Sequence, residues 1–490
     1  MSTSATSTPW LGPQRRDAVA PVPAAADPTL GAAQAHASPL RDWLRRKGRG
    51  PAPQGAGPRV KVAVVGSGVA GLAAAWALAE HAEVTLFEAD ARAGGHAHTV
   101  DVELDGIRHG VDTGFLVYNE RTYPLLIQLF EQLGIATAPS DMSFSVQVPG
   151  IDLEWSGHSL ATVFAQKRNL VRPAFWGMLT DLLRFNRLCT ALAQRGDEAR
   201  LAQPIGDFLR EQGFGAAFRD WYLLPMVACI WSCPTAQMLA FPIRTLIRFC
   251  HNHGLLQVED RPQWFTVRGG SRHYVDALLP AVQHLRLATP VRAVRRLTGS
   301  VTGGVTVTTD AGPETFDHVV LAGHSDQSLA LLHDASLAER AVLGAVAYQP
   351  NRAVLHLDER LLPQRRSAWA AWNYERARTE EGRDAAPDTE QVCLHYLLNR
   401  LQPLPWQRSV IVSLNPVRQP DPALVLREIE YAHPVFDERA VRAQAQLPAL
   451  QGEGGVWFAG AWTRYGFHED GLLSGLGVAQ ALESRLMAHG

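Results

Sequence analysis

The chain has 490 residues, of which 46% are hydrophobic and 19% are charged, a balance that excludes a wholly disordered or collagen-like chain. Its 46 Lys and Arg residues nearly match its 48 Asp and Glu residues, so the formal net charge of −2 provides no global basic field for nucleic acid. Five cysteines without a CxxC pair argue against a disulfide framework, and no apolar run reaches the roughly 20 residues of a membrane-spanning helix.

The first 58 residues are rich in Pro, Ala and Ser and contain no Glu, a composition typical of a disordered leader. They lack the apolar core of a secretory signal. Residues 40–49 (LRDWLRRKGR) leave two interpretations open, a solvated run of charges or a contact with anionic lipid. We expect deletion of residues 1–55 to leave the melting temperature nearly unchanged, because such a segment contributes little core.

A strand, a glycine-rich turn, a helix and a second strand follow between Lys61 and Glu88. In this context the GxGxxG pattern predicts a dinucleotide site more specifically than it does alone. In such a site the turn and the helix N-terminus hold the pyrophosphate. A carboxylate at Glu88 is placed to accept from an adenosine ribose and disfavours NADP, which leaves FAD and NAD open. The residues predicted to hold the dinucleotide here are Gly66, Ser67, Gly68, Val69, Ala70, Gly71 and Glu88.

Further glycine-containing segments recur along the chain, namely Arg92–His96, Asp112–Gly114, Val267–Gly270, Trp457–Gly460 and His468–Gly475, and Pro290–Val291 opens a strand-rich stretch between them. Together they resemble the FAD-containing amine oxidase superfamily, in which the chain enters the FAD domain three times. The resemblance implies an α/β fold with a Rossmann-type FAD domain (59–114, 265–331 and 451–490) and an interleaved α+β substrate domain (115–264 and 332–450). It adds these FAD contacts: Ala89, Arg92, Gly94, Gly95, His96, Thr113, Gly114, Val291, Gly460, Asp470, Gly471 and Leu472.

The segments 112–124, 139–145, 459–463 and 469–471 are similar to a narrower group. These are the bacterial NAD/FAD-binding oxidoreductases associated with cyclopropane-fatty-acid synthases, which are similar also to the N-terminal half of plant cyclopropane synthases. Two positions depart from the wider superfamily. Ala461 stands where many members carry an acidic residue for the ribityl chain, and His96 stands where Arg is usual, so the detailed flavin contacts are expected to differ.

The stretch 161–250 predicts helices rich in Phe, Trp, Leu and Met with interleaved arginines. It is open whether these helices simply cover the domain core or form an apolar tunnel whose basic mouth attracts an anionic lipid head group. The pairs His96/His98 and His251/His253 have no carboxylate or thiolate cluster at ligand spacing, so no metal is predicted. No G-x-S-x-G elbow supports hydrolase chemistry.

The residues predicted to act near the reacting carbon are Tyr465, His468 and Glu469, which precede the last helix. The resemblance implies that amine-oxidising relatives keep a lysine near the flavin, whereas this chain has only Lys47, Lys61 and Lys167. We therefore predict desaturation or isomerisation of an unsaturated or methyl-modified fatty acyl chain. The alternatives are a flavin amine oxidase for small amines and a redox-silent accessory subunit of a lipid methyltransferase.

The predicted function and the resemblance also imply partners. The expected partners are an apolar substrate, a membrane surface in transient contact and a cyclopropane-synthase-like methyltransferase, and no nucleic acid is expected. The protein is expected in the cytoplasm of a bacterium, peripheral to the inner face of the membrane.

Overall fold

The structure is a computed structural model, which describes residues 39–47, 59–195, 201, 203–231, 238–256, 261–297, 304–376 and 392–489. The elements in the first part of the chain are β1 (Lys61–Val65), α1 (Val69–Leu78), β2 (Glu83–Phe87), β3 (Thr99–Leu104), β4 (Ile107–Asp112), β5 (Tyr118–Asn119), α2 (Pro124–Leu133), β6 (Thr137–Ser140), β7 (Phe144–Val148), β8 (Leu153–Ser156), α3 (Leu160–Val163) and α4 (Pro173–Arg195).

The central part of the chain alternates helices and strands. It contains α5 (Ile205–Glu211), α6 (Ala216–Phe218), α7 (Leu224–Trp231), α8 (Ile243–Asn252), β9 (Trp264–Val267), α9 (Arg272–Leu278), β10 (His284–Arg286), β11 (Val291–Arg296), β12 (Val305–Thr309), β13 (Gly312–Phe316), β14 (His318–Leu321), α10 (Ser325–Leu331) and α11 (Leu337–Leu343). The last part contains β15 (Ala347–His356), β16 (Trp372–Glu375), β17 (Cys393–Leu397), α12 (Leu398–Leu401), β18 (Ile411–Leu414), β19 (Val425–Val435), α13 (Glu438–Gln444), β20 (Val456–Phe458) and α14 (His468–His489).

A five-stranded parallel sheet with the order β10-β2-β1-β14-β20 carries the glycine-rich turn. Its central strand β1 has the sequence KVAVV, and the three middle residues are fully buried because neighbouring elements cover the strand. The strands come from three separate stretches of the chain, and all five lie in the segments predicted for the Rossmann-type domain. The α/β fold class is therefore confirmed, while the exact domain boundaries stay a prediction.

A seven-stranded sheet with the order β19-β15-β18-β17-β16-β7-β8 forms the second large layer. All its pairings are antiparallel except that of β16 with β7. Helices α4 to α8 lie in the stretch predicted to be helical, and they share a hydrophobic core with this sheet, in which Phe175, Met178 and Phe185 are buried with Val146 and Trp155. The interpretation as helices that cover a core is confirmed, and the tunnel stays a proposal.

The first and last helices of the parallel-sheet region pack closely against each other. A Cβ placed on Gly475 of α14 would lie 2.1 Å from the carbonyl oxygen of Ala70 in α1, so only glycine permits this approach. Leu72 of α1 and Leu476 of α14 are fully buried in the same core cluster. The C-terminal end of the chain therefore completes the layer around the glycine-rich turn.

Residues 39–47, which we call the leader segment, correct the prediction of a disordered leader for that stretch. Residues 39–44 are helical, and Leu40, Trp43 and Leu44 are buried in the core of the parallel-sheet region. The indole N–H of Trp43 donates to the Glu483 carboxylate over 2.7 Å. The composition of the first 58 residues did not indicate this helix. It has only a few apolar residues at helical spacing, and they lie within a long stretch rich in Pro and Ala.

The remainder of the predicted leader, residues 1–38 and 48–58, lies outside the described residues. Among the helices that the structure describes, none is long and apolar enough to cross a bilayer. The described cysteines, Cys189, Cys229, Cys250 and Cys393, are buried free thiols.

Candidate functional site

The turn between β1 and α1 has the geometry expected of the predicted pyrophosphate site. Gly66 has φ +101°, which favours glycine, and a Cβ on Gly71 would lie 1.8 Å from the Gly66 carbonyl oxygen. A Cβ on Gly68, by contrast, would meet no protein atom within 4 Å. Gly68 is the N-cap of α1 and no side chain caps the helix there, so its first N–H groups are available to an anion.

The Glu88 carboxylate lies at the end of β2 and contacts the same turn. Its Oε2 accepts from the backbone N–H of Ser67 over 2.8 Å and from the Ser67 hydroxyl over 2.5 Å. Its Oε1 accepts from the backbone N–H of Asp90 over 2.9 Å. The carboxylate is thereby held beside the turn, in the position expected of a ribose acceptor.

Replacing Glu88 with Gln is expected to weaken dinucleotide binding by about 1 to 3 kcal/mol, because an amide offers one acceptor oxygen in place of two. The measurement is the dissociation constant of the flavin nucleotide, obtained by titrating the apoprotein. Glu83→Gln, on the same strand, is the matched control and should bind as the wild type does. Equal affinities of the two variants would show that Glu88 only ends the strand and does not contribute to dinucleotide binding.

The loop at residues 92–97 brings a second group of predicted contacts to Gly68. A Cβ on Gly95 would lie 3.0 Å from the Cα of Gly68. The Arg92 guanidinium donates to the Gly95 carbonyl over 2.8 Å and so shapes the loop from within. The Nε2 of His96 is shielded from solvent and has no hydrogen-bond partner among the described residues, which is unusual for a buried polar atom. His96 therefore presents an unused hydrogen-bonding atom beside the turn.

The segment that follows β4 joins this loop to the seven-stranded sheet. Thr113 Oγ1 lies 3.0 Å from the hydroxyl of Tyr431 in β19, and a Cβ on Gly114 would lie 2.3 Å from the His96 carbonyl oxygen. The Tyr431 ring stacks on the His96 imidazole at 4.9 Å. Glycine at position 114 is required for this close approach, and Thr113 and Gly114 therefore border the same space as His96.

The start of α14 and the turn before it hold the C-terminal group of predicted contacts. The backbone N–H of Gly460 donates to the Ser474 hydroxyl over 2.7 Å, and a Cβ on Gly471 would lie 2.7 Å from Val69 in α1. The Asp470 carboxylate accepts from the backbone N–H of Phe467, and burial raises the pKa of Asp470 to about 6. The other predicted contacts are placed as follows: Leu472 and Ala70 are buried beside this turn, Val291 is buried in β11, and Ala89 is exposed.

Of the three residues predicted to act near the reacting carbon, Glu469 has the most definite contacts. Its carboxylate oxygens accept from the backbone N–H groups of Leu125 and Leu126 at the start of α2, over 2.8 and 3.0 Å. Removal of the carboxyl from water raises its pKa to about 8. These contacts are those of a helix cap, so they tie α14 to α2.

The raised pKa of Glu469 predicts a pH dependence of stability. The folded carboxyl keeps its proton to about pH 8, whereas the unfolded one releases it near pH 4. The free energy of unfolding should therefore fall as the pH rises between these values. Urea unfolding from pH 6.5 to 8.5, above the titration of Asp470, should give a flatter profile for Glu469→Gln than for the wild type. Parallel profiles would contradict the prediction.

His468 and Tyr465 differ in their surroundings. His468 stacks on Phe115 at 3.9 Å, and its Nε2 lies 2.7 Å from the Tyr274 hydroxyl. Burial alone lowers the pKa of His468 to about 3, so the ring is neutral near pH 7. Tyr465 is partly buried in the turn that precedes α14. His468 thus shares the region of the predicted flavin contacts, while its catalytic role stays a prediction.

Several residues beside His96 were missed by the sequence reasoning. His433 lies 5.4 Å from His96, ring to ring, and burial lowers its pKa to about 4. His324, at the start of α10, stacks on Tyr348 at 4.3 Å. These residues come from distant strands and loops, so no spacing in the sequence could group them. No local pattern around either histidine marked it as a part of the site.

One group in the described part of the chain has the composition of a metal site. It consists of Glu375, Cys393 and His395, all buried, with ligand atoms within 4.8 Å of one another. The guanidinium of Arg418 binds both oxygens of Glu375 at 2.9 Å, and His395 lies 3.0 Å from the same carboxylate. These atoms already have partners, so the group is a satisfied polar cluster on strands β16 and β17 of the seven-stranded sheet. The predicted absence of a metal stays untested.

The chain matches one protein-family model and resembles several solved structures. The family model described as "Flavin containing amine oxidoreductase" matches residues 69–397, more than half of the chain. Among solved structures, cyclohexylamine oxidase from Brevibacterium oxydans IH-35A is 18% identical with a TM-score of 0.60, and the match covers 88% of this chain and 100% of that one.

Two further solved structures show the same fold at low identity. Putrescine oxidase bound to putrescine is 16% identical, with a TM-score of 0.59 and coverage of 88% of this chain and 99% of that one. The CLA-producing fatty acid isomerase from P. acnes is 16% identical, with a TM-score of 0.57 and coverage of 87% and 98%. At such identities the likeness establishes the fold alone.

Proposed function

Since the chain belongs to the flavin containing amine oxidoreductase family and is an FAD-dependent oxidoreductase, we propose that it acts on an apolar fatty acyl chain, which it desaturates or isomerises. The observation that carries the proposal is the environment of His468. Its ring stacks on Phe115 at 3.9 Å, its Nε2 lies 2.7 Å from the Tyr274 hydroxyl, and burial lowers its pKa to about 3. Surroundings of this kind suit an uncharged apolar substrate better than a cationic amine.

The residues of the site fit FAD on three observations. A Cβ on Gly68 would meet no protein atom within 4 Å, the Glu88 carboxylate is anchored beside the turn, and the Nε2 of His96 lacks a partner in the described part of the chain. When bound, FAD supplies an acceptor for the hydride that leaves a substrate carbon. The Gly-rich turn would hold the pyrophosphate, and the start of α14 would lie at the flavin end.

Aromatic side chains surround the region in front of α14. Phe249 of α8 stacks on Phe467 at 5.0 Å and on His253 at 4.0 Å. Burial lowers the pKa of His253 to about 4, so this ring is also neutral near pH 7. Trp264 stacks on His253 at 6.2 Å. In the proposed reaction these side chains exclude water and position the acyl chain, which needs no ionic contact.

All three lysines lie away from this region. Lys47 is ion-paired with Glu80 and Glu483 at the leader segment, Lys61 begins β1, and Lys167 is exposed beyond α3. The lysine that the resemblance implied for amine-oxidising members therefore has no counterpart beside His468. Arg is no substitute, because its pKa above about 12 prevents it from acting as a base near neutral pH.

The proposal is tested by anaerobic mixing of the holoenzyme with candidate substrates. Phospholipids with unsaturated or methyl-branched acyl chains are expected to bleach the visible flavin band if the reaction is a desaturation. An isomerisation without net flavin reduction would instead appear as a changed double-bond position in the recovered lipid, detected by mass spectrometry. Small amines are expected to leave the band unchanged.

Two outcomes would favour the alternatives. Bleaching by simple amines alone would establish the amine oxidase alternative. A flavoprotein that transforms neither class, alone or with an acceptor dye, would favour the accessory subunit, and stimulation of a lipid methyltransferase on mixing would then identify that partner.

A further inference from the structure

An exposed apolar patch is formed by segments that lie between the end of β7 and the first turns of α4. It consists of Ile151, Leu160, Leu170, Val171 and Trp176, which we call the 151–176 patch. Leu160 and Val171 are 81% and 83% exposed, which is unusual for large apolar side chains that lie close to one another.

Contacts within the patch hold its members together. The indole N–H of Trp176 donates to the Leu170 carbonyl over 2.9 Å, and the Trp176 ring lies 5.4 Å from that of Phe164. Phe164 ends the helix that Leu160 begins. The Arg172 guanidinium donates to the Ile151 carbonyl over 3.2 Å. These hydrogen bonds and ring contacts therefore fix the backbone that carries the exposed side chains.

Cationic groups lie among these apolar side chains, and no acidic residue occurs between Glu154 and Asp181. Lys167 is exposed and has no ion pair in the part of the chain that the structure describes. The Arg172 guanidinium donates to the Ile151 and Asp152 carbonyls, and its Nη1 is shielded from solvent. Arg168 pairs with the Asp152 carboxylate. The patch thus combines apolar side chains, a partly exposed indole and the ammonium group of Lys167.

We propose that the 151–176 patch docks the protein on the surface of an anionic lipid bilayer. Leucine, valine and tryptophan side chains enter the boundary between head groups and acyl chains, while Lys167 contacts lipid phosphates. Tryptophan is the residue type that membrane interfaces favour, because its ring is apolar and its N–H is polar. The basic residues of the leader segment, the other candidate for this role, lie on a stretch whose apolar face is buried in the protein.

The patch continues inward as a row of aromatic rings. Phe164 lies 5.8 Å from Phe175, Phe175 lies 6.4 Å from Trp155, and Trp155 lies 6.1 Å from Phe144 in β7. This row leads from the bilayer-facing surface into the core beneath α4. Delivery of a lipid from the bilayer to the site rests on the proposed function, whereas the docking surface itself does not.

The test is cosedimentation of the full-length holoenzyme with sucrose-loaded vesicles. Vesicles of phosphatidylcholine with 30% phosphatidylglycerol, at about 0.1 M salt, should bind the wild-type protein, and 0.5 M salt should weaken that binding. Val171→Asp should reduce the bound fraction at least tenfold. Leu337→Asp, at a residue 87% exposed on α11, is the matched control and should bind as the wild type does. Lys167→Glu should weaken binding to the anionic vesicles and leave pure phosphatidylcholine unaffected.

The outcomes separate this proposal from the proposed function. Absence of vesicle binding by the wild type, or equal binding by Val171→Asp and Leu337→Asp, would overturn the docking surface. So would a dimer in solution that Val171→Asp dissociates, because the patch would then be covered by a second copy. Assays with detergent-dispersed lipid report on the chemistry independently. Unchanged lipid turnover by Val171→Asp in detergent, with lost vesicle binding, would support both proposals.

Discussion

Gly71→Ala is expected to abolish FAD retention and to lower the free energy of unfolding by about 3 kcal/mol. The new Cβ would lie 1.8 Å from the carbonyl oxygen of Gly66 and 3.2 Å from the Cβ of Ala322. A backbone atom cannot move aside as a flexible side chain can, so α1 must shift away from β1 and β14. That shift would displace the N–H groups that face the pyrophosphate. Flavin absorbance per protein and urea unfolding measure the two effects.

Two glycines serve as controls for Gly71→Ala. Gly177→Ala lies in α4, where a Cβ meets nothing within 4 Å, and it should leave both quantities unchanged or slightly improved. Gly68→Ala also meets no protein atom, so the apoprotein should be as stable as the wild type while FAD binding is lost. If Gly68→Ala retains FAD fully, the pyrophosphate does not lie where we place it.

Deletion of residues 1–47 is expected to destabilise the protein by about 3 to 5 kcal/mol, in contrast to the expectation from composition. Trp43 and Leu44 fill a part of the core, and their loss would expose it to water. Lys47 lies 2.9 Å from Glu483 and 3.2 Å from Glu80, so its removal leaves two carboxylates close together without their cation. Thermal and urea unfolding of the holoenzyme measure the effect.

Deletion of residues 1–38 is the matched truncation, because it spares the leader segment, and it should leave the stability nearly unchanged. Trp43→Ala in the full chain should reproduce most of the loss caused by the longer deletion. If both truncations unfold as the wild type does, the leader segment contributes nothing to the core and the original expectation for residues 1–55 is restored.

The parallel sheet and its glycine-rich turn could be predicted because each depends on local patterns. A short β-rich run followed by Gly66 and Gly71 specifies strand, turn and helix within a few residues. Glu88 could be placed because it closes the second strand of the same unit. The recurrence of glycine motifs predicted that later segments return to this domain, and β14 and β20 lie beside β1 as that pattern required.

The rest of the candidate site could not be predicted because distant segments form it. Tyr431 contacts Thr113 from a strand more than 300 residues away in the sequence. His433 lies on that same strand, β19, and contacts His96. Glu469 was chosen for its place before α14, but the sequence could not reveal that the start of α2 would bind its carboxylate. Such contacts depend on how elements pack, which periodicity and spacing do not record.

The contact between α1 and α14 has a consequence for how the protein is made. A ribosome releases β1 and α1 long before Gly475, whose absent side chain lets α14 close on Ala70. Strand β20 joins the parallel sheet only at that late stage. Until α14 has been synthesised, the nascent chain therefore lacks a part of the proposed pyrophosphate site and leaves apolar side chains of α1 uncovered. Stable flavin capture is expected only after α14 has closed on α1.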